Sequence, residues 1–215
     1  MPEMRQPDLF AARPEGFAYR DGLLSPHDEA ELVRHIETLP FQPFAFRGYL
    51  GKRRIVSFGW RYDYSGRALR ESATPPGFLL PLRAKAAAFA GVAADGLQQV
   101  LVTEYASGAG IGWHRDKPMF EDVVAISLLS PCMLRFRRER AKGWERNSVP
   151  VAPRSAYLLR GPARSVWEHS VPPVAALALF HHLPQLRFEA LSVAFTPSRG
   201  SRPIPRAAPV RRRGC

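Results

Sequence analysis

The sequence predicts a mainly β domain with flanking helices, an α+β arrangement whose strands form a jelly roll. Beyond residue 98 the chain divides into short strand-like segments, "QQVLVTEY", "GIGWHRD", "VVAISLL", "CMLRFRRE", "SAYLLRG" and "SVWEHSV", punctuated by Gly, Pro and Asn. Many short strands at this spacing fold into a sandwich or a barrel. Two helical stretches precede them. With 215 residues, 46% of them hydrophobic, the chain is long enough to bury one sizeable core.

Residues 1–16 are proline-rich and mixed in charge, a loosely ordered lead-in. The stretch "LLSPHDEAELVRHIETLP" then starts a helix. Ser25 can cap it, Pro26 suits its first position, Asp28 lies where an acid is wanted, and Leu32, Ile36 and Leu39 make an apolar stripe. A second helix is predicted in "PGFLLPLRAKAAAFAGV", ending near Gly91. Between the two, about residues 43–65, "FAFRGYLGKRRIVSFGWRYDYSG" reads as a hairpin joined around Gly51. Phe58, Trp60, Tyr62 and Tyr64 alternate there, which would put four aromatics on one strand face. Such a face could stack a nucleobase, and Arg47, Lys52, Arg53 and Arg54 could hold phosphates. The simpler reading is that some of these rings pack on the core.

A net charge of +12 and a pI near 10.6 favour a polyanionic partner, nucleic acid or an acidic membrane surface. No apolar run reaches bilayer length, and "MPEMRQPDLFAARPEGF" lacks the hydrophobic core of a signal peptide, so a cytoplasmic protein is expected. The two cysteines, Cys132 and Cys215, exclude a disulfide framework or a cysteine-rich zinc site. Any metal must be held by histidine and carboxylate.

The stretch "YASGAGIGWHRDKPMFED" holds His114 and Asp116 two residues apart. On a strand they would share a face, with Arg115 on the other, and could grip one metal ion together. Two polar residues on a surface strand would look the same. A facial triad needs a second histidine from a distant strand. His169, in "RSVWEHSVPP", is the best candidate, because His27 and His35 fall on the first helix and His181 and His182 adjoin an unusual C-terminal segment.

"TEYASGAGIGWHRDKP", "VAISLLSPCMLRFRR" and "YLLRGPARSVWEHSVPPV" together resemble the alkylation-repair dioxygenase (AlkB) family of Fe(II)- and 2-oxoglutarate-dependent oxygenases, over roughly residues 17–177. The resemblance implies a double-stranded β-helix core over about residues 98–177, with His114, Asp116 and His169 as iron ligands. It implies that Tyr105 hydrogen-bonds 2-oxoglutarate; Thr103 stands where some members carry asparagine. The hairpin resembles the family's nucleotide-recognition lid, with Trp60 and Tyr64 as base-sandwiching residues. The implied reaction consumes 2-oxoglutarate and O2, hydroxylates an N-alkyl carbon, and releases succinate, CO2 and an aldehyde. The implied partner is alkylated nucleic acid, single-stranded DNA or a flipped-out base, bound by a monomer without a membrane. Pro118 stands where some members place a base-reading acid, which leaves base preference open. RNA and protein side chains are substrates elsewhere in the superfamily, and a catalytically impaired nucleic-acid-binding homologue is a further alternative.

From Ala178 onward the chain changes character. The last 38 residues hold seven arginines against one acid, Glu189, and end in the Pro/Arg-rich "SRGSRPIPRAAPVRRRGC". The family pattern has a strand resembling Arg-Tyr-Ser-Ile-Thr-Phe-Arg after the second histidine, whose arginines bind 2-oxoglutarate and buttress the metal site. This chain has "ALALFHHLPQL" instead. Back-translating Ala178 to Leu186 and moving one base forward permits Arg-Tyr-Ser-Ile-Thr-Phe-Arg-Asn. Residues 178–215 are therefore read as the product of a one-base insertion near Leu177 or Ala178. The rival is a natural basic tail in which Arg187 or Arg199 replaces the missing arginine. As written, the chain is expected to bind 2-oxoglutarate weakly and to lack a jelly-roll strand unless "ALALF" or "EALSVAF" substitutes.

Overall fold

The computed structural model describes residues 13–46, 49–63, 68–118, 121–174 and 189–197. After β1 (Phe17–Arg20), Ser25 begins α1 (Pro26–Ile36): its side chain accepts from the Asp28 amide at 3.0 Å, and Pro26 occupies the first turn, where no amide partner is needed. His35 lies exposed on α1, stacked on Phe78. A short 3-10 turn leads into α2 (Leu80–Ala90), which ends at Gly91 in the left-handed conformation that stops helices. Leu32, Ile36, Leu82, Ala86 and Ala90 form the buried faces of the two helices.

β2 (Gln42–Phe46) and β3 (Tyr49–Asp63) form the hairpin, joined across residues 47–48 because Phe46 pairs with Tyr49. Gly51 lies inside β3 and is not the turn. β4 (Ala68–Glu71) pairs with the far end of β3. The core strands are β5 (Leu97–Tyr105), β6 (Ile111–His114), β7 (Val123–Ile126), β8 (Cys132–Arg140), β9 (Gly143–Val151) and β10 (Ala156–Leu159). A five-residue helix, α3 (Gly161–Ser165), leads to β11 (Glu168–Val171). β12 (Glu189–Pro197), the "EALSVAF" segment, lies between β5 and β7 and completes the sheet. The fold therefore has its strand there, built from the substitute segment.

Among the described residues the strands form two antiparallel sheets. The larger runs β1-β10-β7-β12-β5-β3-β2, with β4 on β3; the smaller runs β6-β11-β8-β9. This is a mainly β jelly roll. The larger sheet is covered on both sides, which explains the uninterrupted "VVAI" of β7, buried throughout. Val124, Ile126, Val100 and Val102 pack towards α1 and α2, whereas Val123 and Leu159 meet Leu134, Phe136 and Val149 of the smaller sheet. Pro150 is tolerated in β9 because that strand is an edge.

Glu29, buried on α1, ties two loops to the helix layer. It accepts from the Leu129 amide at 2.7 Å and from Arg154 at 2.9 Å. Both residues have positive φ, so the carboxylate holds two turns that L residues seldom adopt. No helix among the described residues is long and apolar enough to cross a membrane.

Candidate metal centre

His114 ends β6 and His169 sits within β11, and the two pair directly across the smaller sheet, ring centroids 4.2 Å apart. Gly110 permits this approach. A Cβ there would press on the backbone of Val171, Pro172 and Pro173, and the Gly108 and Val174 amides donate across the same contact at 3.0 Å. Asp116 lies beyond the end of β6, so it meets the histidines through the following turn and not by strand alternation. The ligand atoms of the three residues lie within 4.8 Å of one another, with Asp116 carboxylate oxygens 3.8 Å from His114 Nε2 and 3.7 Å from His169 Nε2.

Those separations are too long for hydrogen bonds. Asp116 Oδ2 and His169 Nδ1 are buried without a partner, an arrangement that costs on the order of 1–3 kcal/mol per group unless something else satisfies them. His114 Nδ1 donates to the Gly112 carbonyl at 2.8 Å, which leaves its Nε2 lone pair free. Burial pushes the His169 imidazole down to about 4, so near neutrality it is an uncharged donor. Two imidazoles and one carboxylate around a common point fit a divalent transition metal, Fe(II) in particular.

The triad opens into a cavity of about 100 Å³, also lined by Arg53, Thr103, Tyr105 and Cys132. Thr103 and Tyr105 project inwards from β5. Burial raises the Tyr105 phenol above its ordinary range, with the Arg53 guanidinium beside it acting in the opposite sense, so the hydroxyl keeps its proton.

Arg164, on α3, went unnoticed in the sequence. It donates to the Asp116 carbonyl at 3.0 Å and to the Lys117 carbonyl, with its Nε 4.0 Å from the Asp116 carboxylate. A lone arginine in "GPARS" has no periodicity or spacing to reveal that it folds inwards.

The hairpin differs from its sequence reading. Phe58 is buried in the helix-facing core and Trp60 is 38% exposed, so they do not share a face. Gly59, at φ +72, interrupts the alternation; a Cβ there would collide with the Gln98 carbonyl. Arg54 is not free for phosphate. It pairs with buried Glu104 through contacts of 2.5 and 3.3 Å. Arg53 faces the metal cavity instead of the outer surface. Tyr62 lies on β3, without description of its side chain; Arg47, Tyr64, His181, His182 and residues 198–215 are outside the described residues.

The outer face of the smaller sheet carries a mixed aromatic and basic surface. Arg137 lies over Trp113 and Trp144, 4.6 and 4.3 Å from their rings, and Arg135 lies 5.2 Å from Trp113. Trp144 is 41% exposed, and Arg146 beside it is exposed as well.

A jelly roll whose cavity is lined by two histidines and an aspartate fits the class of non-haem iron proteins. The chain belongs to the 2OG-Fe(II) oxygenase superfamily, whose sequence profile matches residues 20–189. That superfamily uses Fe(II), 2-oxoglutarate and O2, and His114, Asp116 and His169 are the residues here that could hold the iron. It is 31% identical over 147 residues to the "Alkylated DNA repair protein ALKBH8 homolog" of Arabidopsis thaliana, covering 57% of this chain and 42% of that one. It is 32% identical over 77 residues to "Uncharacterized protein L905" of Acanthamoeba polyphaga mimivirus, covering 35% of this chain and 36% of the other. The chain thus spans less than half the length of these curated relatives. The fold is similar to that of OsALKBH1, with a TM-score of 0.64 at 17% identity over 86% of this chain and 98% of that one. It is also similar to a 2OG-Fe(II) oxygenase family oxidoreductase from Burkholderia pseudomallei, with a TM-score of 0.56 at 16% identity over 86% of each chain.

Proposed function

We propose that this dioxygenase removes alkyl groups oxidatively from N-alkylated nucleobases, in single-stranded or flipped-out DNA or in RNA. The observation that carries the chemistry is the donor triad His114, Asp116 and His169, whose Asp116 Oδ2 is buried without a hydrogen-bond partner. The nucleic-acid part is supported by the excess of basic over acidic residues, which persists without residues 178–215, by the name of the Arabidopsis relative, and by the exposed Trp144 and Arg146 on the smaller sheet. An exposed indole beside an exposed guanidinium suits a strand whose bases and phosphates alternate, Arg137 itself being paired with Glu168 at 2.6 Å; stacking is worth about 1–3 kcal/mol per base.

His114, Asp116 and His169 would hold the iron on one side, leaving the cavity side for cosubstrate and O2. When bound, these supply the oxidation: one oxygen atom ends in succinate as CO2 leaves, the other on the N-alkyl carbon. The N–C bond of the hydroxylated group then breaks, returning N–H to the base and releasing an aldehyde. Thr103, Tyr105 and a largely apolar lining surround this space.

The test gives the Fe(II)-loaded chain N-methylated single-stranded DNA, methylated RNA and a methylated peptide. Formaldehyde and succinate in equal amounts from a nucleic acid, and neither from the peptide, is the expected result. A second reading, an impaired homologue that only binds nucleic acid, is favoured by the absence of lysine and arginine from β12. Strand binding without succinate would select it. Trp144→Ala with Arg146→Glu should lower single-stranded DNA affinity about tenfold and flatten its salt dependence.

A further inference from the structure

2-Oxoglutarate is a dicarboxylate. Its keto-acid end chelates metal, and its second carboxylate lies two methylenes further on, inside the same cavity. A carboxylate removed from water needs a cation or several donors. β12, the strand between β5 and β7, reads "EALSVAFTP" and supplies no cationic residue. Arg164 is committed to the Asp116 and Lys117 carbonyls. Arg54 is committed to Glu104.

Arg53 is placed differently from both. It alternates with Arg54 along β3, stands opposite Tyr105 of β5, and is the cationic residue that lines the cavity among those described. Its guanidinium lies over the Phe44 ring at 3.9 Å, which fixes the plane of the group. No carboxylate among the described residues pairs with it.

We infer that Arg53 seats the distal carboxylate of 2-oxoglutarate, supplying the charge while the Tyr105 hydroxyl donates beside it. This rests on the metal-centre reading. It assigns to cosubstrate binding a residue whose sequence position suggested phosphate, and it locates the anion seat on β3 instead of the chain's C-terminal part. A planar guanidinium already stacked on an aromatic ring loses little freedom when a carboxylate docks.

The full chain loaded with Zn(II), which is redox-inert, is titrated calorimetrically with 2-oxoglutarate and with 2-oxobutyrate, a keto acid without the second carboxylate. Arg53→Met should weaken 2-oxoglutarate about 10- to 100-fold while leaving 2-oxobutyrate within about twofold; Arg53→Lys should fall between. Equal 2-oxoglutarate affinity in wild type and Arg53→Met overturns the inference. So does a loss in Arg187→Gln or Arg199→Gln with Arg53→Met unaffected. Wild-type protein that binds neither keto acid would overturn the metal-centre reading itself, and the inference with it.

Discussion

Arg164 and Asp116 are joined through the backbone: the guanidinium donates to the Asp116 carbonyl at 3.0 Å and to the Lys117 carbonyl next to it. The arginine stands on α3, which leads directly into the strand of His169. One side chain therefore sets the position of the carboxylate ligand relative to a histidine ligand. Arg164→Ala leaves two carbonyls unsatisfied and lets the turn drift. Mn(II) affinity, followed by electron paramagnetic resonance, should fall about 10- to 100-fold with circular dichroism unchanged. Arg164→Lys should lie between, since an ammonium lacks the fork that spans both carbonyls. Unchanged affinity in Arg164→Ala would mean that the turn holds itself.

The Arg54–Glu104 pair makes a stability prediction. Glu104 is buried and Arg54 is partly open to water, so Arg54→Met strands a carboxylate without a full desolvation penalty. Urea unfolding should register a loss of about 1–3 kcal/mol. Affinity for single-stranded DNA should not change. A phosphate-holding Arg54 would give the reverse pattern.

Cys132 lines the metal cavity, and burial pushes its thiol up to about 11. The thiol is protonated below that pH, so at pH 8 only about one molecule in a thousand is thiolate. Iodoacetamide labelling of the native protein, read by mass spectrometry on the Cys132 peptide, should be slow at pH 8 and rise about tenfold per pH unit towards pH 10. Rapid labelling at pH 7 would contradict this.

The reading frame near Ala178 is open to direct test. We propose a one-base insertion there, so sequencing the gene should reveal a supernumerary base. An intact frame would remove the explanation. The frame-restored chain would carry two arginines on the strand that "EALSVAF" now forms. It should bind 2-oxoglutarate more tightly and depend less on Arg53.

The helices were legible because their ends are chemically marked, by Ser25 and Pro26 at one and by Gly91 at the other. The triad was legible as residue types. The pairing of His114 with His169 depends on β6 meeting β11 across 55 residues, which no local pattern encodes. β1 and β9 were missed; β9 alternates polar residues and carries Pro150, a combination that suits only an edge. Phe58 was misassigned because two-residue alternation assumes an unbroken strand, and Gly59 breaks it. Arg53 and Arg54 look equivalent in sequence, yet opposite sides of β3 send one to the metal cavity and the other to Glu104.

The central claim is that His114, Asp116 and His169 hold one iron. Anaerobic Fe(II) binding to the full chain and to His114→Ala, Asp116→Ala and His169→Ala tests it most directly. One equivalent per wild-type chain, with affinity reduced at least about 100-fold in each variant, is the predicted result. Wild-type affinity in any of the three variants would contradict the account.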